Sequence, residues 1–390
     1  MGRTKSMKHL RDAVMYSIYF LSLFFPRSKN TWVFIGWHRG HEIEIFADNT
    51  KYLFLHVANT HKDIHAVWLA KDQKLAALLR SRGYNSYYQH SLLGIWYALR
   101  AGTTVIDAFL QPENFCFTGR TSLVQLLHGK GMKKGGYTQK PLRTQDYIFS
   151  TSPYVSKMLP PIFVQQSPII EIGYPRSDVL FRTIAGSDIG VDASTQSALS
   201  DPQYTKRFLY APTFRRGQKT LDIEKTLDLP RLSGWLVEHS YLLAISLHPK
   251  YRDQSRDLSY PNIHFVEDSD IYPLFPLIDV LITDFSNTFT DFLLLDKPII
   301  FYPYDIETYK EKEGLTYDNY DDYTPGPKAY TPQKLLKTLE DVLSRDTYDT
   351  ERQRVCNLYH TYQDGESSER ITHTLLISTC EDIKILFFTK

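Results

Sequence analysis

Beyond residue 30 the chain alternates short apolar runs with segments of helical spacing. Trp32–Gly36, His65–Leu69, Thr103–Asp107, Leu123–His128 and Tyr147–Ser150 read as strands. Phe46–Val57, Gln73–Arg82 and Ser91–Arg100 read as helices between them. Runs such as VWLA and TVID are continuously apolar rather than alternating, which a parallel sheet covered on both faces demands. Residues 186–201, GSDIGVDASTQSALSD, break the rhythm with small polar residues and read as a linker, or equally as a surface loop before a helix. The rhythm then restarts. Arg207–Ala211, Tyr241–Leu247, Ile263–Glu267, Val280–Thr283 and Pro298–Tyr302 are strand-like; Leu232–Glu238, Asn287–Leu295, Pro332–Ser344 and Ser367–Ile377 are helix-like. The fold class predicted is α/β: two doubly wound domains facing a cleft, at 28–185 and 202–365, with 366–390 as a C-terminal helix and tail.

Length agrees, since 390 residues suit two domains better than one core. Charge narrows the partners. Lys and Arg number 45 against 44 acids, so no overall field argues for nucleic acid, and none is expected as a partner. The 27 Tyr and 22 Phe are compatible with sugar or lipid contact, but thick cores explain them as well. Three scattered cysteines with no CxxC pair indicate neither a zinc site nor a disulfide framework and suit a reducing cytoplasm.

The first residues follow a different pattern. Arg3, Lys5, Lys8 and Arg11 precede the uncharged run Ala13–Phe25, followed by Pro26 and Arg27. That run is shorter than the roughly 20 residues a spanning helix needs. No small-residue cleavage site follows, so a secretory signal fits poorly. The expectation for 1–27 is a helix lying in the membrane interface, its basic residues on anionic headgroups; an ordinary buried helix is the alternative.

Three segments could carry chemistry. In QLLHGKGMKKGG, His128 ends an apolar run and is followed by Gly129, where backbone can approach a ligand. A strand-end histidine suits proton removal near neutral pH. The glycines approximate a dinucleotide fingerprint, but the spacing is one residue too long and the strand is a late one. In SLHPK, Pro249 stops the strand and leaves His248 and Lys250 at its mouth. In DVLITDFSNTFTDF, a buried strand meets a polar turn; Ser286, Asn287 and Thr288 can cap the next helix or present donors to a diphosphate. Smaller pieces are GYPRSD (Gly173–Asp178), APTFRR and PGP. The pair Asp268 and Asp270 matches a metal-binding pattern but reads better as helix capping, so no metal is expected.

Taken together and in order, QLLHGKGMKKGG, GYPRSD, YAPTFR, LHP, DVLITDFSNTFTDF, KPIIFYPYD and PGP resemble the signatures of the CDP-glycerol:poly(glycerophosphate) glycerophosphotransferase family of teichoic-acid and capsule synthesis. ADNTKYLF (Ala47–Phe54) is similar to the family's early segment as well. The resemblance runs from about Trp32 to Pro327 and implies paired Rossmann-type domains of glycosyltransferase-B type. It implies transfer of glycerol phosphate, or a related alditol phosphate, from a CDP-activated donor to a hydroxyl of a polyprenyl-diphosphate- or lipid-linked saccharide, releasing CMP. It also implies a peripheral enzyme on the cytoplasmic face of the cell membrane, with no cofactor beyond the CDP-alditol donor. Carried over by motif, His128 would be the general base and His248 would bind the donor diphosphate. Gly129, Arg215, Asp284, Ser286, Asn287 and Thr288 would complete substrate binding. The chain departs from the family pattern at Leu127, at Lys130–Met132 and at Asn287, beside acceptor and donor. With no added repeat domain to track a polymer, single addition or short extension is expected. Alternatives are a nucleotide-sugar glycosyltransferase of the same fold and a non-catalytic membrane-bound scaffold.

Overall fold

The computed structural model describes residues 2–36, 44–108, 110–129, 142–159, 167–215, 218, 220–248, 251, 257–267, 270–315 and 319–379. They form two compact units. The first takes the described residues of 1–128, 139–189 and 364–390. Its strands are β1 (Ser28–Ile35), β2 (His65–Ala70), β3 (Ser86–Tyr88), β4 (Ala101–Ile106), β5 (Ser122–Gln125), β6 (Tyr147–Ser150) and β7 (Ile169–Glu171). All pair in parallel, in the order β3-β2-β1-β4-β5-β6-β7. The second unit carries β8 (Lys206–Ala211), β9 (Tyr241–Ile245), β10 (Ile263–Phe265), β11 (Val280–Thr283) and β12 (Ile299–Phe301). These are also parallel, in the order β10-β9-β8-β11-β12.

Both sheets are doubly wound. The chain enters mid-sheet, winds to one edge, crosses back and winds to the other. The order therefore reverses between β1 and β4, and between β8 and β11, where strand ends leave a crevice for a ligand. Continuous apolar runs make these strands central: Val33–Ile35, Ala66–Ala70 and all of β11 are buried. Trp32, Phe34, Phe54 and Trp68 anchor one core of the first unit. Phe208, Tyr210, Leu243 and Ile282 anchor that of the second.

Differences from the sequence expectations have local causes. β3 and β7 span three residues each, too few to show a period. β5 stops at Gln125, short of the expected His128, because Leu127 adopts a left-handed φ of 62° that no strand accommodates. The chain passes between units at Ile189/Gly190, inside the 186–201 segment. Within that segment Ala193–Ser200 is helical, its first turn capped by the Asp192 carboxylate. The helix Ser367–Thr379 packs in the first unit, where buried Asp178 accepts from the main-chain N–H of Ser367 (2.9 Å) and Ser368 (2.8 Å).

Helix α1 (Gly2–Ser22) extends back through the basic segment. Met15, Ile18 and Tyr19 pack on the first unit, Tyr19 stacking on Phe115 at 4.5 Å, and Ser22 Oγ accepts from the Gly119 N–H. Phe20, Leu21 and Phe24 face outward and are exposed. Among the described residues no helix is long and apolar enough to cross a membrane.

Candidate active site

In the first unit the site grows from the C-terminal ends of β4, β5 and β7. After β5 the chain turns through Leu127 and Gly129, the latter at φ 87°, a conformation that suits glycine. His128 stands between them. Its Nδ1 lies 2.8 Å from Oδ2 of Asp48, the first residue of α2 (Asp48–Thr60). Arg176, nearly fully buried after β7, uses one nitrogen twice. Its Nη1 donates to Asp48 Oδ1 at 2.8 Å and to the His128 carbonyl at 2.7 Å. Asn49 completes the frame by donating Nδ2–H to the Leu127 carbonyl and accepting the Arg176 N–H.

The charges explain the titration. Burial alone would raise Asp48, but Arg176 and His128 outweigh it and hold the carboxyl below the usual range. Asp107, just after β4, has no hydrogen-bonded cation among the described residues. Burial pushes it up to about 7, against the pull of His128 and with the Asp48 charge adding to the rise. Its Oδ2 accepts a long 3.4 Å bond from the Thr50 N–H, and its Oδ1 has no hydrogen-bond partner among the described residues.

In the second unit the site lies at the switch point. Asp284, fully buried at the end of β11, accepts from the Thr213 N–H at 2.8 Å and so ties the β8 loop to β11. Its other oxygen takes Arg215 Nη2 at 2.8 Å. Arg215 also forks onto Asp305, Nε to Oδ2 at 2.7 Å and Nη2 to Oδ1 at 2.8 Å, and donates to the Thr213 carbonyl. Burial alone would lower this guanidinium, yet the two carboxylates hold it well above its ordinary value. Its planar face sits among Phe285, Tyr304 and Tyr309, 5.0–5.5 Å from the ring centres. His248, after β9, stacks on Phe214 at 4.3 Å. In the turn after β11, Ser286 Oγ donates to Thr288 Oγ1 (2.9 Å) and accepts the Thr288 N–H. The helix that follows, Thr288–Phe292, is five residues long, so its dipole adds little, and its Thr288 and Thr290 N–H groups already donate to Ser286 Oγ and the Asn287 carbonyl.

Among the described residues, two groups have ligand-type atoms close enough for a metal: His56, His61 and Glu369, and Asp48, Asp107 and His128. In the second group both Asp48 oxygens are already engaged, and the adjacent guanidinium opposes a cation. Pro249 and Lys250, the lysines and glycines of 130–136, and Asp268 lie outside the described residues.

The family model described as CDP-Glycerol:Poly(glycerophosphate) glycerophosphotransferase matches residues 17–377, nearly the whole chain. The chain belongs to this family. Among its relatives, the teichoic acid poly(glycerol phosphate) polymerase of Bacillus subtilis is 25% identical over 95% of the chain. The chain spans about half of that protein, 52% of its length. The teichoic acid glycerol-phosphate transferase of Staphylococcus aureus is 26% identical, with 95% of this chain and 98% of the relative aligned. A solved structure of the wall teichoic acid polymerase TagF matches with a TM-score of 0.73 at 22% identity, covering 97% of this chain and 98% of that one. The fold is thus that of the TagF structure.

In this member of the family, each unit holds one of the two singled-out histidines at a strand end, with Arg215, Asp284, Ser286, Asn287 and Thr288 gathered around one switch point in the second. Sequence reading gives Asp48, Asn49, Asp107, Arg176 and Asp305 no task of their own. Four of them lie in motifs that carry the family resemblance: Asp48 and Asn49 in ADNTKYLF, Arg176 in GYPRSD and Asp305 in KPIIFYPYD.

Proposed function

We propose that this glycerophosphotransferase moves glycerol phosphate, or a related alditol phosphate, from a CDP-activated donor to a hydroxyl of a lipid-linked saccharide or polymer in teichoic-acid-like synthesis. His128 takes the proton of the acceptor hydroxyl. The oxygen attacks the phosphorus that carries the glycerol, and the bond from that phosphorus to the bridging oxygen breaks. CMP leaves with the electron pair. His248 binds the donor diphosphate with Ser286, Asn287 and Thr288, and Gly129 lets the backbone approach the substrate. Arg215 and Asp284, already joined to each other, set the shape of that pocket. Phosphoryl transfer asks mainly for positioning and charge neutralisation, which such groups supply. The observation that carries the reading is His128 at the mouth of β5 with its Nδ1 held by a carboxylate, in a chain that matches the family model throughout.

The enzyme works at the cytoplasmic face of the membrane, held there peripherally. Two observations support this: Phe20, Leu21 and Phe24 exposed beside a basic N-terminal segment, and exposed Leu92, Leu93 and Trp96 on the helix Leu92–Arg100, with Phe25 in edge contact with Trp96 at 5.8 Å.

The test is product analysis. Purified protein given CDP-glycerol or CDP-ribitol and a polyprenyl-diphosphate saccharide is expected to release CMP and to extend the acceptor by an alditol phosphate. His128→Ala is expected to lose about 10²–10⁴-fold in turnover. Release of CDP instead means glycosyl transfer, and release of neither from any CDP-alditol overturns the reading.

A further inference from the structure

Two segments that carry no chemistry of their own, Ala47–Phe54 and Gly173–Asp178, meet at His128. Asp48 and Leu127 are non-glycine residues with left-handed backbone, φ 67° and 62°. Such conformations are unfavourable for residues with side chains and persist where surrounding bonds hold them. Here the bonds are Asn49 to the Leu127 carbonyl, Arg176 N–H to Asn49, and the Arg176 fork.

We infer that Asp48 is the positioning residue of His128, fixing the neutral imidazole with its proton on Nδ1 and its lone pair on Nε2, and that Arg176 locks the pair. The inference rests on the reading of His128 as general base. A carboxylate can only accept a hydrogen bond, so Nδ1 must donate to Asp48. A neutral imidazole has one N–H, and Nε2 is then the basic atom. Arg176 keeps Asp48 charged and joins its other oxygen to the His128 main chain through a single nitrogen, so the spacing of the pair is set by one rigid group. When Nε2 takes the acceptor proton, the imidazolium forms 2.8 Å from a carboxylate already in place, with no reorganisation. Among the described residues, the charged or titratable groups beside His128 include Asp48 on α2, Asp107 after β4 and Arg176 after β7.

The experiment compares wild type, Asp48→Asn and His128→Ala for CMP release from CDP-glycerol at saturating acceptor, across pH. An amide no longer dictates the tautomer. For Asp48→Asn, kcat is expected to fall about 10²–10⁴-fold with KM for CDP-glycerol little changed. The acid limb of the kcat profile moves to lower pH, because the imidazolium has lost its counter-charge. A merely structural role would move neither the limb nor the split between kcat and KM. Should Asp48→Asn not fold, as judged by circular dichroism, Asp48→Glu replaces it. There the charge remains, so kcat falls while the acid limb stays. Wild-type kcat in these variants alongside an inactive His128→Ala sinks the positioning role and leaves the base reading intact. Wild-type turnover by His128→Ala sinks both.

Discussion

A carboxyl with no cation hydrogen-bonded to it among the described residues behaves unlike one that is clamped, and the first unit contains both. Asp48 is held ionised by Arg176 and His128. Asp107, fully buried, is raised from 3.8 to about 7 chiefly by desolvation. A carboxyl whose folded value lies above its unfolded value binds its proton more tightly when folded. Its contribution to stability is complete below about 4 and is lost as pH rises through about 7. Asp107→Asn removes that slope while keeping the shape. Between pH 5 and pH 8, the melting temperature of the wild type is expected to drop further than that of Asp107→Asn. Parallel curves for the two proteins contradict the assignment.

Helix α1 illustrates how one element divides its faces. Met15, Ile18 and Tyr19 pack inward, and the Ser22 hydroxyl is bonded to Gly119, so α1 is part of the first unit's structure. Removing the whole segment would therefore test packing together with membrane binding. The exposed face can be changed alone. Replacing Phe20, Leu21 and Phe24 with Glu is expected to leave the melting temperature within a few degrees, since these side chains contact mainly solvent. Flotation with anionic liposomes is expected to be abolished, because each buried Phe or Leu contributes about 1.5–3 kcal/mol and the new charges repel the headgroups. Undiminished flotation of the triple variant rules out this face as the anchor. The packed face agrees with the alternative of an ordinary packed helix, whereas the interfacial helix stays the proposal that the triple variant tests; the apolar run supplies residues for both faces, and its periodicity does not say which face meets protein.

At the scale of the whole molecule, the chain returns to its first unit at the end. The helix Ser367–Thr379 lies far in sequence from α2 and Asp178, yet it packs beside them, its first N–H groups on the Asp178 carboxylate. A helix N-terminus bonded to a buried carboxylate gains both hydrogen bonds and dipole stabilisation. Asp178→Ala leaves two buried N–H groups unsatisfied and is expected to cost about 1–3 kcal/mol. Amide exchange across 367–372 should quicken more than at β1 or β4. Uniform quickening across the unit argues instead for global destabilisation.

Much of the fold was legible because it depends on local pattern. Continuous apolar runs announced parallel strands, their alternation with helical spacing announced double winding, and ten of the strands lie where the runs placed them. His128, His248 and the Asp284–Thr288 turn were legible too, each ending an apolar run where a parallel sheet exposes its ligand side. What only the tertiary structure decided was partnership. Asp48 stands 80 residues before His128, and Arg176 stands 48 after it. No periodicity encodes that these meet, because their approach follows from the strand order β1-β4-β5-β6-β7 and from two left-handed residues at loop ends. The same holds for Arg215 with Asp284 and Asp305, 69 and 90 residues away, brought together by the β8–β11–β12 order. Chemistry at a strand end is written locally, whereas its tuning depends on charges that the topology delivers from elsewhere in the chain.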